Sequence, residues 1–142
     1  MKKLISISML FALFIAIVGV TSCKKYEEGP KISFRSKKAR LSGEWTLEQA
    51  LHNTTDVTAS TAAAVGANFV WEIEKDGTYK MSGNFAETGT WKLGEDKDDV
   101  TFTSSVSGST ADTYRILKLE NKELWMKQTQ SNGDVDEFHL KQ

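Results

Sequence analysis

The sequence contains a single cysteine, Cys23, so no disulfide bond can form within the chain. Disulfides commonly stabilise small exported domains. A domain built by this chain must instead derive its stability from a buried apolar core, which a domain of roughly 100 residues can supply. Proline is equally scarce. The only one, Pro30, follows Gly29, and this pair interrupts regular secondary structure.

Residue patterns that indicate catalysis or metal binding are also missing from the sequence. The only histidines, His52 and His139, have neither the His-x-Glu spacing nor the cysteines of zinc sites. Ser107-Gly108-Ser109 lacks the flanking residues of a nucleophile elbow. No glycine-rich phosphate loop is present, and no nucleophile, base and orienting group occur together. We therefore predict a non-enzymatic protein with no cofactor and no metal ion.

Charge is unevenly distributed along the chain. From Cys23 to Arg40 there are seven basic and two acidic residues, whereas Leu41 to Gln142 contains nine basic and 17 acidic residues. An acidic domain argues against nucleic acid as a partner. The basic segment suits either contact with anionic lipid headgroups or a solvated spacer, and its composition does not separate the two.

A long apolar run occurs only once, at the start of the chain. Lys2 and Lys3 precede it, residues 4–20 are almost wholly apolar, and small residues follow. The run is slightly short for a membrane-spanning helix, which needs about 20 apolar residues. A positive start, an apolar stretch and small residues at its end are typical of a secretory signal peptide. We predict a signal peptide over residues 1–22, and the remaining 120 residues suit one small domain.

The segment Val20-Thr21-Ser22-Cys23 resembles the lipobox of bacterial lipoproteins. In that family the cysteine thiol is acylated and the chain is cut before it. The resemblance therefore implies a lipid anchor (palmitate) on Cys23, with the membrane as a partner, and a flexible tether over residues 23–39. Lys24 at the second mature position resembles lipoproteins sorted to the outer membrane. The implied location is the bacterial cell envelope, on the periplasmic or the exposed face of the outer membrane.

From about residue 40, apolar residues recur at every second position and turn signals such as Asp76-Gly77 follow at short intervals, which is typical of β-strands. The pattern predicts eight strands: Gly43–Leu51, Asn68–Lys75, Thr78–Ser82, Gly89–Leu93, Val100–Ser104, Thr113–Leu119, Leu124–Gln128 and Val135–Lys141. An open meander would leave two exposed edges. We therefore predict an all-β fold, an eight-stranded antiparallel up-and-down barrel over residues 40–142, with a small two-sheet β-sandwich as the alternative.

Short motifs in this region resemble those of lipocalins. Gly43-Glu44-Trp45 matches the Gly-x-Trp motif of their first strand, and residues 76–79 and 89–93 are similar to bacterial lipocalin-like lipoproteins. The resemblance implies a lipocalin-like barrel in which Gly43 and Trp45 form a structural motif at the base. Lipocalins usually carry an arginine near the end of the last strand, over this tryptophan. Here Lys141 or Arg40 is the candidate replacement.

The inward-facing positions of the predicted strands are rich in aromatic residues. Such side chains either fill an eight-stranded barrel or line a small pocket within it. The candidate ligand-binding residues are Phe69, Trp71, Tyr79, Met81, Trp91, Phe102, Tyr114 and Phe138. The segment His52–Asn68 is too long for a hairpin, and we expect one helical turn in it around Ala62–Val65. The lipocalin resemblance implies that this segment lies over the barrel mouth.

These features predict a membrane-anchored lipocalin-like lipoprotein that binds a small hydrophobic ligand in its barrel. The alternative is a cell-envelope interaction module with a filled barrel, which binds a protein or glycan through its loops or outer face. Trp125 is the candidate contact for this alternative. It is out of phase with Leu124 and Met126 and is expected to face outward.

Overall fold

The structure, a computed structural model, describes residues 35–142 of the chain. The predicted signal peptide, Cys23 and most of the predicted tether lie outside these residues. The elements are helix α1 (Lys37–Leu41), strands β1 (Gly43–His52) and β2 (Thr55–Asp56), helix α2 (Thr58–Val65), and strands β3 (Trp71–Ile73), β4 (Thr78–Met81), β5 (Glu87–Leu93), β6 (Asp99–Ser104), β7 (Asp112–Leu119), β8 (Glu123–Thr129) and β9 (Val135–Lys141). Within this part of the chain, no helix has the length and apolar character needed to cross a membrane.

Eight of the strands close into an antiparallel barrel. Strands β3 to β9 pair in sequence order, and β1 pairs with both β3 and β9. The β1–β9 ladder extends from Thr46 opposite Lys141 to His52 opposite Asp136, so it joins the two ends of the meander. The predicted lipocalin-like up-and-down barrel is confirmed, and the two-sheet sandwich is wrong. Strand β2, which the sequence did not predict, pairs only with the end of β1.

Two irregularities in the ladders keep apolar side chains inside the barrel. The register shifts between Leu47 and Gln49 on β1 and between Ile116 and Lys118 on β7. Ile116 and Leu119 are three residues apart and would face opposite sides of a regular strand, yet both are buried. The bulge returns Leu119 to the interior.

Helix α1 covers one end of the barrel, called here the closed end. The helix begins after Ser36, whose hydroxyl accepts a hydrogen bond from the Ala39 N–H at 3.1 Å. It buries Leu41 completely, and Lys37 forms an ion pair with Asp98 at 3.0 Å. Lys37–Ala39, which the sequence assigns to the tether, belong to this helix.

Of the two candidate cations at this end, Arg40 is the buried one. Its Nη1 donates to the backbone carbonyl of Leu119 at 2.6 Å. Lys141, the other candidate, keeps 55% of its side chain exposed and lies near Glu48. Trp45 is fully buried, and its indole Nε1–H donates to the Leu41 carbonyl at 2.8 Å. Helix α1 and strand β1 thus close the base of the barrel together.

The other end of the barrel, called here the mouth, carries the longer connections. These include the segment between β1 and β3, in which helix α2 extends the single helical turn predicted near Ala62–Val65. Four alanine residues favour the helix, and Asp56 accepts a hydrogen bond from the Thr58 N–H at its start. Strand β3 is much shorter than predicted, because the chain before Trp71 is part of this connection.

Candidate functional site

A cavity of about 200 Å³ lies in the mouth half of the barrel. It is lined by Leu47, Thr61, Val65, Phe69, Trp71, Tyr79, Met81, Phe85, Glu87, Phe102, Asp112, Tyr114, Phe138 and Leu140. The barrel brings together seven of the eight candidate ligand-binding residues around this cavity. All of these except Phe69 come from strands, where alternation places them inside the barrel.

The exception among the candidate residues is Trp91. It faces inward and is buried, but it lies one inward position beyond Gly89, toward the closed end of β5. Its Nε1–H donates to the Glu74 carbonyl in the β3–β4 connection at 2.8 Å, and Lys38 of α1 lies 5.9 Å from its ring centre. The expectation that Trp91 lines the ligand site is therefore corrected. Trp91 belongs to the closed-end core.

Aromatic rings form one continuous wall of the cavity. Phe102 is central, with ring centres 4.5 Å from Trp71, 5.3 Å from Tyr79 and 6.0 Å from Tyr114. Tyr114 in turn contacts Phe138 edge-on at 6.2 Å. Edge-to-face contacts of this kind are favourable and hold the rings in fixed orientations. The rings occupy much of the barrel, yet they leave a cavity, so the barrel is not completely filled.

The volume of the cavity limits the size of the molecule that it can hold. A dry cavity of about 150 Å³ is enough to bind benzene, whereas pockets for drug-sized ligands begin near 300 Å³. At about 200 Å³, this cavity suits a molecule with one aromatic ring or a short branched chain. It does not suit a sterol or a haem.

Two carboxylates line the cavity, and the sequence reasoning missed both. Glu87 accepts a hydrogen bond from the Tyr79 hydroxyl at 2.7 Å and another from the Ser104 hydroxyl at 3.1 Å. Asp112 accepts one from the Gln128 side-chain amide at 3.0 Å. Each stands at the mouth end of its strand, in phase with inward residues. Alternation therefore identifies them once β5 and β7 are extended to their true starts.

The two tyrosine hydroxyls of the cavity are held in their neutral form. Burial raises the pKa of Tyr79 well above its usual value, and the hydrogen bond to Glu87 adds to the effect. Burial also raises the pKa of Tyr114, with further contributions from the negative charges of Asp112, Asp136 and Glu87. Because three carboxylates contribute to the raised pKa of Tyr114, the electrostatic field at the mouth is negative.

One polar group on the cavity wall has no partner. Trp71 is only 7% exposed, and no acceptor among the described residues receives its indole Nε1–H. A buried donor without an acceptor is costly and in native proteins usually has an explanation, such as a water or a ligand.

Helix α2 contributes to the mouth side of the cavity through Thr61 and Val65. No residue of this helix is buried. Its last turn is held by Asn84, whose side-chain amide donates to the Ala64 carbonyl at 3.1 Å and whose backbone N–H donates to the Val65 carbonyl at 2.8 Å. The helix therefore lies at the mouth with few buried contacts.

On the outer face, Trp125 packs against its neighbours rather than standing alone. It faces outward, as its phase predicts, but its ring stacks on His139 with ring centres 4.1 Å apart, and Lys118 Nζ lies 4.5 Å from its ring centre. Both ring faces therefore have neighbours, and Trp125 is only partly exposed. The predicted outward orientation of Trp125 is confirmed, and these two neighbours reduce its exposed surface.

Each histidine forms a hydrogen bond with a carboxylate. His52 lies 2.7 Å from Asp136 at the mouth, and His139 lies 2.6 Å from Glu137 on the outer face. Over residues 35–142, no group of three or more histidine, cysteine, aspartate and glutamate side chains is arranged to hold a metal ion. Neither a comparison with models of known protein families nor a search of curated proteins finds a match to this sequence.

Proposed function

We propose that this protein is a lipid-anchored, lipocalin-like protein of the bacterial cell envelope that binds a small, mostly apolar ligand inside its barrel. The observation that carries the proposal is the cavity of about 200 Å³ with aromatic walls and a few polar groups. Ligand sites are typically concave and mostly apolar, with a small number of polar groups that orient the ligand.

Noncovalent binding suits the cavity chemistry better than catalysis does. The lining hydroxyls belong to Thr61, Tyr79 and Tyr114, and the lining includes no histidine, lysine or cysteine. Both tyrosine pKa values are raised, which disfavours their use as nucleophiles. We therefore keep the proposal of a binding protein rather than an enzyme.

Neutral single-ring hydrocarbons test the binding proposal. We expect propylbenzene to bind the full chain, held in lipid nanodiscs, with a dissociation constant below about 100 μM, or roughly −5.5 kcal/mol. Isothermal titration calorimetry gives the affinity, with empty nanodiscs as the blank for partition into lipid. Val65→Trp fills the cavity from an unburied position on α2 and is expected to weaken binding by about tenfold or more.

A matched control uses the same substitution elsewhere. Val106 is 59% exposed and does not line the cavity, so Val106→Trp is expected to leave the affinity unchanged. Equal affinities for the wild-type chain and Val65→Trp would place the ligand outside the cavity. No heat of binding above the blank at millimolar propylbenzene would contradict the proposed function itself.

The anchoring part of the proposal rests on the sequence of residues 1–23. It is supported by the basic start, the apolar run and the small residues before Cys23, which together resemble a lipobox. Each buried lipid methylene contributes about 0.8 kcal/mol, so two or more acyl chains make the attachment stable. Helix α1 begins at Lys37, so a short basic segment would separate the barrel from the membrane surface.

Cys23→Ala is expected to abolish acylation and to leave the chain at its precursor mass. The reason is that the thiol is the only group in the lipobox-like segment that can carry a thioether-linked lipid. Intact-mass spectrometry of protein extracted from membranes measures both the cut and the modification. Ser22→Ala, which keeps a small residue before the cysteine, serves as the control and is expected to be processed normally. An unmodified Cys23 in a shortened wild-type chain would contradict the anchor.

A further inference from the structure

The charged side chains that line the cavity are all of one sign. They are Glu87 and Asp112, and no lysine, arginine or histidine among residues 35–142 belongs to the lining. A cavity that binds the carboxylate of a fatty acid would be expected to present a cation or several N–H donors to it. This cavity presents the opposite charge, although its aromatic walls would suit the apolar part of such a molecule.

Strand geometry directs both carboxylates toward the same interior. Glu87 is in phase with Gly89 on β5, and Asp112 is in phase with Tyr114 on β7. Strand β6 lies between these two strands. Ser104 on β6 donates to Glu87, and Phe102 on β6 is directly opposite Asp112 in the ladder. The carboxylates therefore stand on either side of the central aromatic ring of the cavity.

Neither carboxylate is neutralised by a protein cation. Elsewhere in the described residues, carboxylates such as Asp98 and Glu123 form ion pairs with lysine, but no such pair involves Glu87 or Asp112. Their hydrogen bonds come from neutral hydroxyl and amide groups. A carboxylate has about four lone-pair positions, so both retain the capacity to accept further hydrogen bonds.

The electrostatics of the wall also favour a ligand with a cationic end. Burial makes the largest contribution to the raised pKa of Tyr114, and the negative charges of Asp112, Asp136 and Glu87 near its hydroxyl raise that pKa further. Aromatic rings facing an enclosed space also attract an organic cation through their electron-rich faces.

We infer that the cavity selects a small organic amine, with its apolar body among the aromatic rings and its ammonium group at Glu87 and Asp112. This inference rests on the proposed function and narrows it to one ligand class. Such a ligand supplies the positive charge that the lining lacks, whereas a carboxylate of the same size meets two like charges.

Three probes with one phenyl ring and a short chain test the inference against the wild-type full chain in nanodiscs. They are propylbenzene, phenethylamine and 3-phenylpropanoate, which differ in the group at the end of the chain. We expect phenethylamine to bind about tenfold tighter than propylbenzene, and 3-phenylpropanoate to bind at least about tenfold weaker, each factor corresponding to roughly 1.4 kcal/mol. Raising the salt concentration is expected to weaken the amine alone.

Uncharged variants of Glu87 and Asp112 test whether these two carboxylates cause the preference for the amine. The double variant Glu87→Gln and Asp112→Asn keeps size and hydrogen-bonding capacity, so phenethylamine is expected to lose its tenfold advantage while propylbenzene binding persists. Glu95→Gln removes one charge from an exposed turn at the closed end and is expected to change neither affinity. An advantage that survives in the double variant would overturn the assignment to these carboxylates.

The outcomes separate this inference from the function on which it rests. If propylbenzene binds and phenethylamine binds no tighter, the amine inference is overturned while the binding function stands. If 3-phenylpropanoate binds tightest, the inference is likewise overturned. If none of the three probes binds, both fail. Should the double variant not fold, the ranking of the probes on the wild-type chain and its salt dependence decide the question alone.

Discussion

Replacing Trp45 by alanine is expected to lower the free energy of unfolding by about 3–5 kcal/mol, the range for large aromatic truncations in cores. Trp45 is completely buried at the base of the barrel, directly opposite Trp71 in the β1–β3 ladder. Its indole also satisfies the Leu41 carbonyl at the end of α1. The substitution therefore leaves a large cavity and removes a link between helix and strand. Urea unfolding followed by circular dichroism measures the loss.

Trp45→Phe separates the loss of the hydrogen bond from the loss of core packing. Phenylalanine keeps an aromatic ring in the core but cannot donate to the Leu41 carbonyl, so a loss of about 1–3 kcal/mol is expected. A loss below about 1 kcal/mol for Trp45→Ala would mean that Trp45 is not the core residue described here. The Gly-x-Trp resemblance at residues 43–45 would then have no structural meaning.

The alternation of apolar residues was enough to predict the barrel. Successive side chains of a strand point to opposite faces, so a strand with one buried face carries an apolar residue at every second position. The alternation failed where a strand begins with polar residues. The alternation of Trp91 and Leu93 predicts a strand that starts only at Gly89. In the structure Gly89 lies inside β5, and a side chain there would meet the Thr103 carbonyl and the Tyr79 ring. That early boundary is why Glu87 was missed.

Sequence periodicity gives the face of a residue but not its depth along the barrel. Tyr79 and Trp91 both face inward, and both are buried. Only the cross-strand register shows that Tyr79 is opposite Gly89, while Trp91 lies two residues further toward the closed end. The sequence does not show how neighbouring strands are aligned when the turns between them differ in length. Trp91 was therefore assigned to the ligand site, whereas it belongs to the core.

The helix at the closed end was missed for a different reason. Lys37–Leu41 is basic and only five residues long, too short for its periodicity to be recognised. A helix of this length is also marginal without tertiary contacts. What stabilises it is its environment, namely the Ser36 cap, the Lys37–Asp98 ion pair and burial of Leu41 against the barrel. None of these contacts is local in sequence except the cap.

Leu41→Ala is the second substitution for which we expect a large loss, about 2–5 kcal/mol of unfolding free energy. Leu41 is fully buried within the main apolar core although it belongs to the segment before the first strand. Truncating it opens a cavity under α1, and relaxation of the helix into that space would loosen the Arg40 contact with Leu119.

Lys38→Ala provides the matched control for Leu41→Ala, because Lys38 is an exposed residue of the same helix and its ammonium group lies 5.9 Å from the centre of the Trp91 ring without being buried in the core. Lys38→Ala is expected to lower the free energy of unfolding by no more than about 0.5 kcal/mol, as for most surface positions. Both variants are compared by urea unfolding under identical conditions.

If α1 seals the barrel, Leu41→Ala also speeds hydrogen exchange at the closed ends of β1 and β7, while exchange at the mouth is unchanged. Equal stabilities for the two variants would mean that the barrel closes without its helix and that the folded domain begins at Gly43.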